Sequence, residues 1–425
     1  MQQRISWRSL SMISVLTCSV LTFFLNACGS SGTSSTTSSQ HVTLTFSSWQ
    51  GGAAGDAYQA VIRSFEKTHP TITINYKVAT DYATYLNTTF GASNPADIVG
   101  FSPGSYNKAA YVQAGDLVDL SDQPWVSHIQ TSAKVTAVSD TAPTKVYALP
   151  VVQDVGGVIY NKDVFSKLKL QVPTTWEQFL QVCATIKAYG VAPLAIGAKD
   201  GWPLEQFLDN QLVNTVYRDT PNFHAQQVAG TATYAGSAGW KQAIADFTAL
   251  KPYFNNGFSS TTFANTADLL ATGKAAMVVN GDFTLQPAHT TNPNVQLGIF
   301  PLPYGSGSAK PNFTSFVDQV DGIASKSQHI AEAKAFLQYF AQPNVMASFL
   351  TQRQGLATLD NVGSYTVDPA LNGIPALLPT QSTNESVFNT NAAVESIIWK
   401  DTQAVLVGTT TSSQMLQDMD KAFKG

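Results

Sequence analysis

The sequence predicts an α/β protein built as two lobes, joined by more than one crossing of the chain. Three observations carry that prediction. The first is the stretch Val146 to Phe165, VYALPVVQDVGGVIYNKDVF, in which two apolar, β-branched runs flank the polar pair Gln153 and Asp154 and the glycines Gly156 and Gly157. It reads as two extended segments meeting at a bend between bodies, because paired glycines tolerate the dihedrals and close approaches of such a passage. The second is a strand, helix, strand alternation on either side of it. The third is size: 425 residues with 44% hydrophobic side chains are enough for two cores.

Composition narrows the partners. The formal charge is -4, and loss of Arg4 and Arg8 with a leader leaves 22 basic against 28 acidic side chains, or -6. A nucleic-acid partner is excluded on that balance, since phosphate neutralisation needs a basic face. Three cysteines, Cys18, Cys28 and Cys183, are too few for a disulfide framework.

Residues 1–27 carry two arginines and an apolar core from about Ile13 to Phe24. That core is too short to span a bilayer of about 30 Å, so it reads as an export signal. Its ending, Leu25-Asn26-Ala27-Cys28, resembles a lipobox. The resemblance implies that Cys28 begins the mature chain and bears a diacylglycerol thioether, a membrane anchor. An ordinary signal peptide with an incidental cysteine is the plainer reading. Residues 28–40 then form an uncharged Ser/Thr/Gly-rich tether, GSSGTSSTTSSQ after the cysteine.

Val42, Leu44 and Phe46 alternate with threonines in a strand that runs into Ser47-Ser48-Trp49-Gln50-Gly51-Gly52. A helix from Asp56 to His69 follows, stopped by Pro70, and Ile72, Ile74 and Tyr76 mark the next strand. Trp49 sits at the strand end, where ligands of α/β sheets bind, although a lone tryptophan reads equally well as core. Ala96 to Val99 is a strand delivering the loop Gly100-Phe101-Ser102-Pro103-Gly104. That pentapeptide satisfies G-x-S-x-G, the nucleophile elbow of serine hydrolases. The elbow needs a backbone N–H after its serine, and Pro103 has none, so the loop is read as cleft lining with Phe101 as a stacking surface.

Beyond the crossover, Thr174, Thr175 and Gln178 form a capping-box pattern for a helix ending near Gly190, with Cys183 on its apolar face as a core thiol. Ala192 to Ile196 is a strand, and GAKDGWP places Trp202 in the loop at its end, as a ligand contact or a structural ring. A short helix from Asn265 to Thr272 precedes the strand Ala275 to Val279 and the loop Asn280-Gly281-Asp282-Phe283. Asp282 either binds ligand hydroxyls or caps the next turn. Leu297 to Pro303 leads to the return crossing, Gly305 to Lys310 is a flexible loop, and Phe313 to Ala324 returns Asp318, Gln319 and Asp321 to the cleft side. Ile330 to Ala341 is an amphipathic helix stopped by Pro343. Asn391 to Lys424 reads as helical hairpins, with Trp399 packed into the core.

Several of these stretches, in order, carry a resemblance. ALPVVQDVGGVIYNKDVF followed by VPTTWEQF, then GKAAMVVNGDF and LGIFPLP, resemble the hinge and cleft segments of the extracellular solute-binding proteins that feed sugar ABC importers. The similarity runs from about Val42 to the C-terminus. It implies a periplasmic-binding-protein-like fold, two α/β lobes joined by a multi-strand hinge. Lobe one would take residues 41–152 and 303–352, and lobe two 153–302 and 353–425. It further implies a monomer that carries a carbohydrate to an ABC permease without catalysis or cofactor. Phe283 stands where the family usually has tryptophan, offering a flat face to sugar C–H bonds with less area and no N–H. The candidate ligand contacts are Trp49, Gln50, Phe101, Gln153, Asp154, Trp202, Asp282, Phe283 and Asp318.

Other chemistry lacks its signature. The histidines show no i, i+4 pairing and no H-E-x-x-H, and no G-x-x-x-x-G-K-[ST] is present. Neither a metal site nor a nucleotide site is expected. A secreted carbohydrate-active hydrolase lipoprotein is the alternative, because two carboxylates about 5 to 10 Å apart leave no mark in a sequence.

Overall fold

The computed structural model describes residues 41–79, 82–92, 95–102, 108–139, 142–305, 310–384 and 391–424. The leader, Cys28, the tether, Pro103 of the G-x-S-x-G loop and most of the loop after Gly305 lie outside the described residues.

Nine strands form the main sheet among the described residues. The seven that carry the argument below are β1 (Val42–Ser48), β2 (Ile72–Val78), β3 (Ile98–Phe101), β4 (Ala148–Asn161), β5 (Ala192–Ala195), β6 (Ala275–Gly281) and β7 (Leu297–Phe300), and they are joined by β8 (Phe313–Ile323) and β9 (Ser382–Asn384). The order is β2-β1-β3-β8-β4-β6-β5, with β7 paired to β4 and β9 to β8. β1 lies parallel to β2 and β3, and β5 parallel to β6, as expected of strand, helix, strand units. The antiparallel pairs β3/β8, β8/β4 and β4/β6 join these two parallel groups.

β4 is the crossing. Its 14 residues reach about 46 Å at ~3.3 Å per residue, long enough to serve both halves. Ala148 to Gly156 pair with β8, and Gly156 to Tyr160 pair with β6. One apolar cluster gathers buried side chains from β1, β3, Leu149, Val151 and Val152 together with Phe336 and Phe349. A second takes Val158 with Phe179, Phe207, Trp240 and Met415. A third, smaller cluster lies around Val155, Ile159 and Leu270. This is a two-lobed α/β periplasmic-binding-protein-like fold with a stranded hinge.

The expected bend at Gly156-Gly157 is absent, because β4 continues through both residues. What requires glycine is close approach: a Cβ on Gly157 would stand 2.7 Å from the Phe300 carbonyl oxygen of β7. β8 carries the irregularity instead. Val317 pairs with Gln153 and Gln319 with Val152, so Asp318 is the extra residue of a bulge. A bulge re-aims the side chain of the inserted residue, and this one sits at the hinge.

Four helices bear on the site: α1 (Gly52–Thr68), α2 (Trp176–Ala188), α3 (Trp202–Thr215) and α4 (Phe263–Ala271). The N-cap half of the capping box expected for α2 forms, Thr175 Oγ1 accepting from the Gln178 amide at 3.3 Å, but Gln178 Oε1 accepts at 2.8 Å from the amide of Thr174, the residue before the cap, and not from that of Thr175. α1 begins four residues before the expected Asp56, with Gly51 as an N-cap that offers no side chain. Later come α5 (Ile330–Phe340), α6 (Pro343–Arg353), α7 (Ala392–Val407) and α8 (Ser412–Lys424), the last two packed as a hairpin.

Candidate ligand-binding site

A cavity of about 730 Å³ opens between the two main apolar clusters, a size typical of small-molecule sites. β1 and α1 build one wall. The strand end delivers Trp49, which packs against Tyr82 at 5.6 Å between ring centroids, and Gln50, whose carbonyl accepts from Tyr76 Oη at 2.8 Å. Gly51 to Ala54 continue the wall. They are the uncapped first turn of a 17-residue helix, whose amides have no partner inside the helix and favour ligand oxygens.

The facing wall is aromatic. Trp202 opens α3, Phe263 opens α4, and Phe283 lies in the short turn after β6. Their ring centroids are 4.9, 5.9 and 5.7 Å apart in a mutually tilted triad, and Phe316 of β8 adds a fourth ring 6.3 Å from Phe283. Phe283 folds back over its neighbour, so that a Cβ on Gly281 would fall 2.3 Å from the ring. Trp399 of α7 closes this side and donates through Nε1 to Glu205 Oε2.

The floor is charged. Arg353, at the end of α6, places Nη2 2.8 Å from Asp154 Oδ2 and 3.0 Å from Asp318 Oδ2. Gln50 Nε2 donates to the same Asp318 oxygen at 2.6 Å, tying the first wall to the hinge. Burial raises the Asp154 carboxyl to about 6, with Arg353 pulling it down. Asp282 is raised well above the ordinary carboxylate range, by burial first and by the neighbouring Asp154 second. Arg353 stays cationic although burial opposes its charge, because Asp154, Asp318 and Asp282 surround it.

Of the nine predicted contacts, Trp49, Gln50, Trp202, Phe283 and Asp318 line this cavity. The other four are buried and lie outside its lining. Phe101 is fully buried in the first apolar cluster, so its ring packs core and does not face the cleft. Gln153 and Asp154 lie on a strand covered on both faces: Gln153 pairs through its backbone with Leu356, and Asp154 stands behind Arg353 with no exposed surface. Asp282 is likewise sealed, its carboxyl turned to Asp154 and the Val155 backbone of β4. Gln319 and Asp321 also stay behind the wall, Gln319 Nε2 donating to Asp321 Oδ1 at 2.6 Å while burial lifts that carboxyl to about 8.

Sequence reasoning missed Arg353, Phe263, Phe316, Glu205, Glu395 and Trp399, all in the lining. One signal pointed to Arg353. A carboxylate inside an apolar strand needs a cation, and a chain this poor in charge offers few. Trp399 was expected in the core because its helix face is apolar, and nothing local distinguishes a face that covers core from one that covers a cleft.

The family model of bacterial extracellular solute-binding proteins matches residues 48–347. The multiple sugar-binding protein of Streptococcus mutans is 23% identical over 292 residues, covering 68% of this chain and 69% of that protein. The melibiose/raffinose/stachyose-binding protein MelE of Bacillus subtilis is 22% identical over 334 residues, covering 77% of this chain and 76% of that protein. Among solved structures, RafE in complex with raffinose superposes with a TM-score of 0.76 at 22% identity, over 90% of this chain and 98% of that one. The chain belongs to the family of bacterial extracellular solute-binding proteins, and it is a receptor, not an enzyme.

Proposed function

We propose that this protein is a lipid-anchored receptor outside the cytoplasmic membrane, which captures a mono- or oligosaccharide between its lobes and passes it to an ABC importer permease. The observation that carries the reading is the pairing of Trp49 on one wall with Trp202 and Phe283 on the other, above the Gln50, Asp318 and Arg353 network. A sugar presents flat C–H faces and directional hydroxyls, and these two surfaces call for rings and for fixed donors and acceptors respectively. The sugar-binding names of the Streptococcus and Bacillus relatives point the same way.

In this reading a ligand touching both walls favours the closed arrangement by its differential affinity, and the hinge strands β4 and β8 take up the rotation. Lobe one takes residues 41–152 and 303–352 and lobe two 153–302 and 353–425, the protein acting as a monomer. Trp49, Gln50, Trp202, Phe283 and Asp318 contact the sugar, while Asp154 positions Arg353. Cys28 bears the lipid, and residues 29–40 let the lobes stand off the surface.

A thermal-shift screen of the purified chain against mono- and oligosaccharides tests the reading. One or more sugars should raise Tm in proportion to saturation. No shift across the panel, or turnover of a glycoside during it, overturns it.

A further inference from the structure

The carbohydrate reading of the cavity is the premise here, and the question is how many sugar rings the cavity holds. The triad of Trp202, Phe263 and Phe283, facing Trp49, forms one platform. Trp399 of α7 lines the same cavity outside that triad. Its seat is built by the residue before Trp202. Gly201 has a φ of 78°, which favours glycine, and a Cβ there would stand 3.1 Å from Trp399 Cβ and 3.4 Å from Cγ of the indole. Further along the first turn of α3, Glu205 accepts the indole Nε1–H on Oε2. The start of α3 therefore presents Trp202 to one part of the cavity and holds Trp399 for another.

A clamp between α7 and α3 is the plainer explanation of the Trp399 and Glu205 pair, but it leaves one contrast unexplained. Trp125 and Trp240 are sealed in the two main apolar clusters, 2% and 1% exposed, and among the described residues the Nε1–H of each has no hydrogen-bond partner. Packing on every side fixes a core ring without help. Trp399 is half-buried, packed against the second cluster on one side and open to the cavity on the other, so packing alone does not fix its orientation. The carboxylate that holds it is costly to place there: burial lifts Glu205 to about 7, against the pull of the indole N–H. What that cost secures is a ring already in position before a ligand arrives, which loses no rotamer freedom on binding.

We infer that Trp399 is a second stacking platform and Glu205 its positioning residue, so that the cavity selects sugars of two or more rings over single ones. One ring lies against the triad and the next against Trp399, each with its C–H face on the aromatic surface. The volume agrees, since about 730 Å³ falls in the upper half of the ~300–1,000 Å³ common to ligand sites.

The test is titration calorimetry on the purified chain with series of increasing length: glucose, maltose and maltotriose; glucose, cellobiose and cellotriose; xylose, xylobiose and xylotriose; and any hit of the thermal-shift screen beside its own single-ring units. In at least one series a longer sugar should bind about ten-fold or more tightly than the single ring, the scale of one added aromatic contact. Trp399→Ala should bring that ratio close to one. Glu205→Ala should lower it, as should Trp399→Phe, which fills the seat but has no N–H to donate. Glu205→Gln, whose side-chain oxygen still accepts the indole N–H, should keep it. Adding Glu205→Ala to Trp399→Ala should change the ratio no further, because the carboxylate acts only through the ring. A lower Tm in Glu205→Ala with the ratio unmoved makes the pair a clamp and overturns the inference. A single ring that binds as tightly as the longer sugars in every series that binds overturns it too, and both results leave the carbohydrate reading standing. No binding by any sugar overturns both.

Discussion

Arg353 Nη2 lies 2.8 Å from Asp154 Oδ2, and the pair is sealed beneath the cavity, with 6% and 0% of the two side chains exposed. Asp154 belongs to hinge strand β4, and Asp318, the second partner of Arg353, to hinge strand β8. One guanidinium therefore joins both crossings to the floor of the site. Stranding one member of a buried ion pair costs about 3–5 kcal/mol, and loss of Asp154 costs a part of that because Asp318 still holds Arg353. Asp154→Ala should lower Tm markedly and weaken sugar binding, whereas Asp154→Ala combined with Arg353→Leu should recover stability without recovering affinity. A single variant as stable as the parent contradicts this role.

The buried carboxyls set how stability responds to pH. Burial raises Asp154 to about 6, Glu205 to about 7 and Asp321 to about 8, all above their unfolded values near 4. A raised carboxyl binds more protons in the folded state, so it subtracts stability as pH rises from about 4 through its folded pKa. The ligand-free protein should therefore melt several degrees higher at about pH 5.5 than at about pH 8. The exposed carboxyls Asp119 and Asp122 and the half-buried Asp418 are shifted downward and act below this window. A melting temperature that is flat or rises with pH between those two values runs against the burial of these groups.

Two aromatic rings separate cleft from core. Trp202 lines the cavity and Phe101 is fully buried in the first cluster. Trp202→Ala should cost about ten- to hundred-fold in sugar affinity, on the order of 1.5–3 kcal/mol of lost contact, with little change in Tm. Phe101→Ala should destabilise by about 3–5 kcal/mol and leave the affinity of the folded fraction close to that of the parent. Measuring Tm and Kd for both decides the assignment, and the reverse pattern would move Phe101 into the site.

Gly281 tests how the Phe283 ring is placed. A Cβ there would meet the ring at 2.3 Å, so Gly281→Ala should push Phe283 out of its triad with Trp202 and Phe263. Affinity should fall more than stability does. Equal affinity in the variant would remove Phe283 from ligand contact.

Membrane attachment rests on Cys28. Cys28→Ser should move the protein from the membrane fraction to the soluble fraction of cells expressing the full chain. Retention in the membrane fraction rejects the lipid anchor.

Much of this architecture was legible in sequence because it follows from local patterns. Alternation in Val42 to Phe46, the Thr175 and Gln178 cap, and Pro343 after the amphipathic helix each fix an element with its neighbours alone. Strand ends located half the site, since Trp49 and Gln50 follow β1 directly. The expected contacts that fall outside the lining share one cause. Phe101, Gln153, Asp154 and Asp282 also sit on strands or at strand ends, but which face of a central strand is covered depends on partners far along the chain. Asp154 and Arg353 are 199 residues apart, and Trp399 and Glu205 are 194 apart. The bulge that turns Asp318 toward the cavity is a register mismatch between β4 and β8, which neither strand encodes by itself.

The most direct measurement is a crystal structure of the chain, without its leader, grown with a saturating sugar taken from the thermal-shift screen. The sugar ring should lie between Trp49 and the Trp202 and Phe283 pair, with at least one hydroxyl bonded to Gln50, Asp318 or Arg353. A sugar seated on one lobe only, or outside the cavity between the walls, would contradict the account.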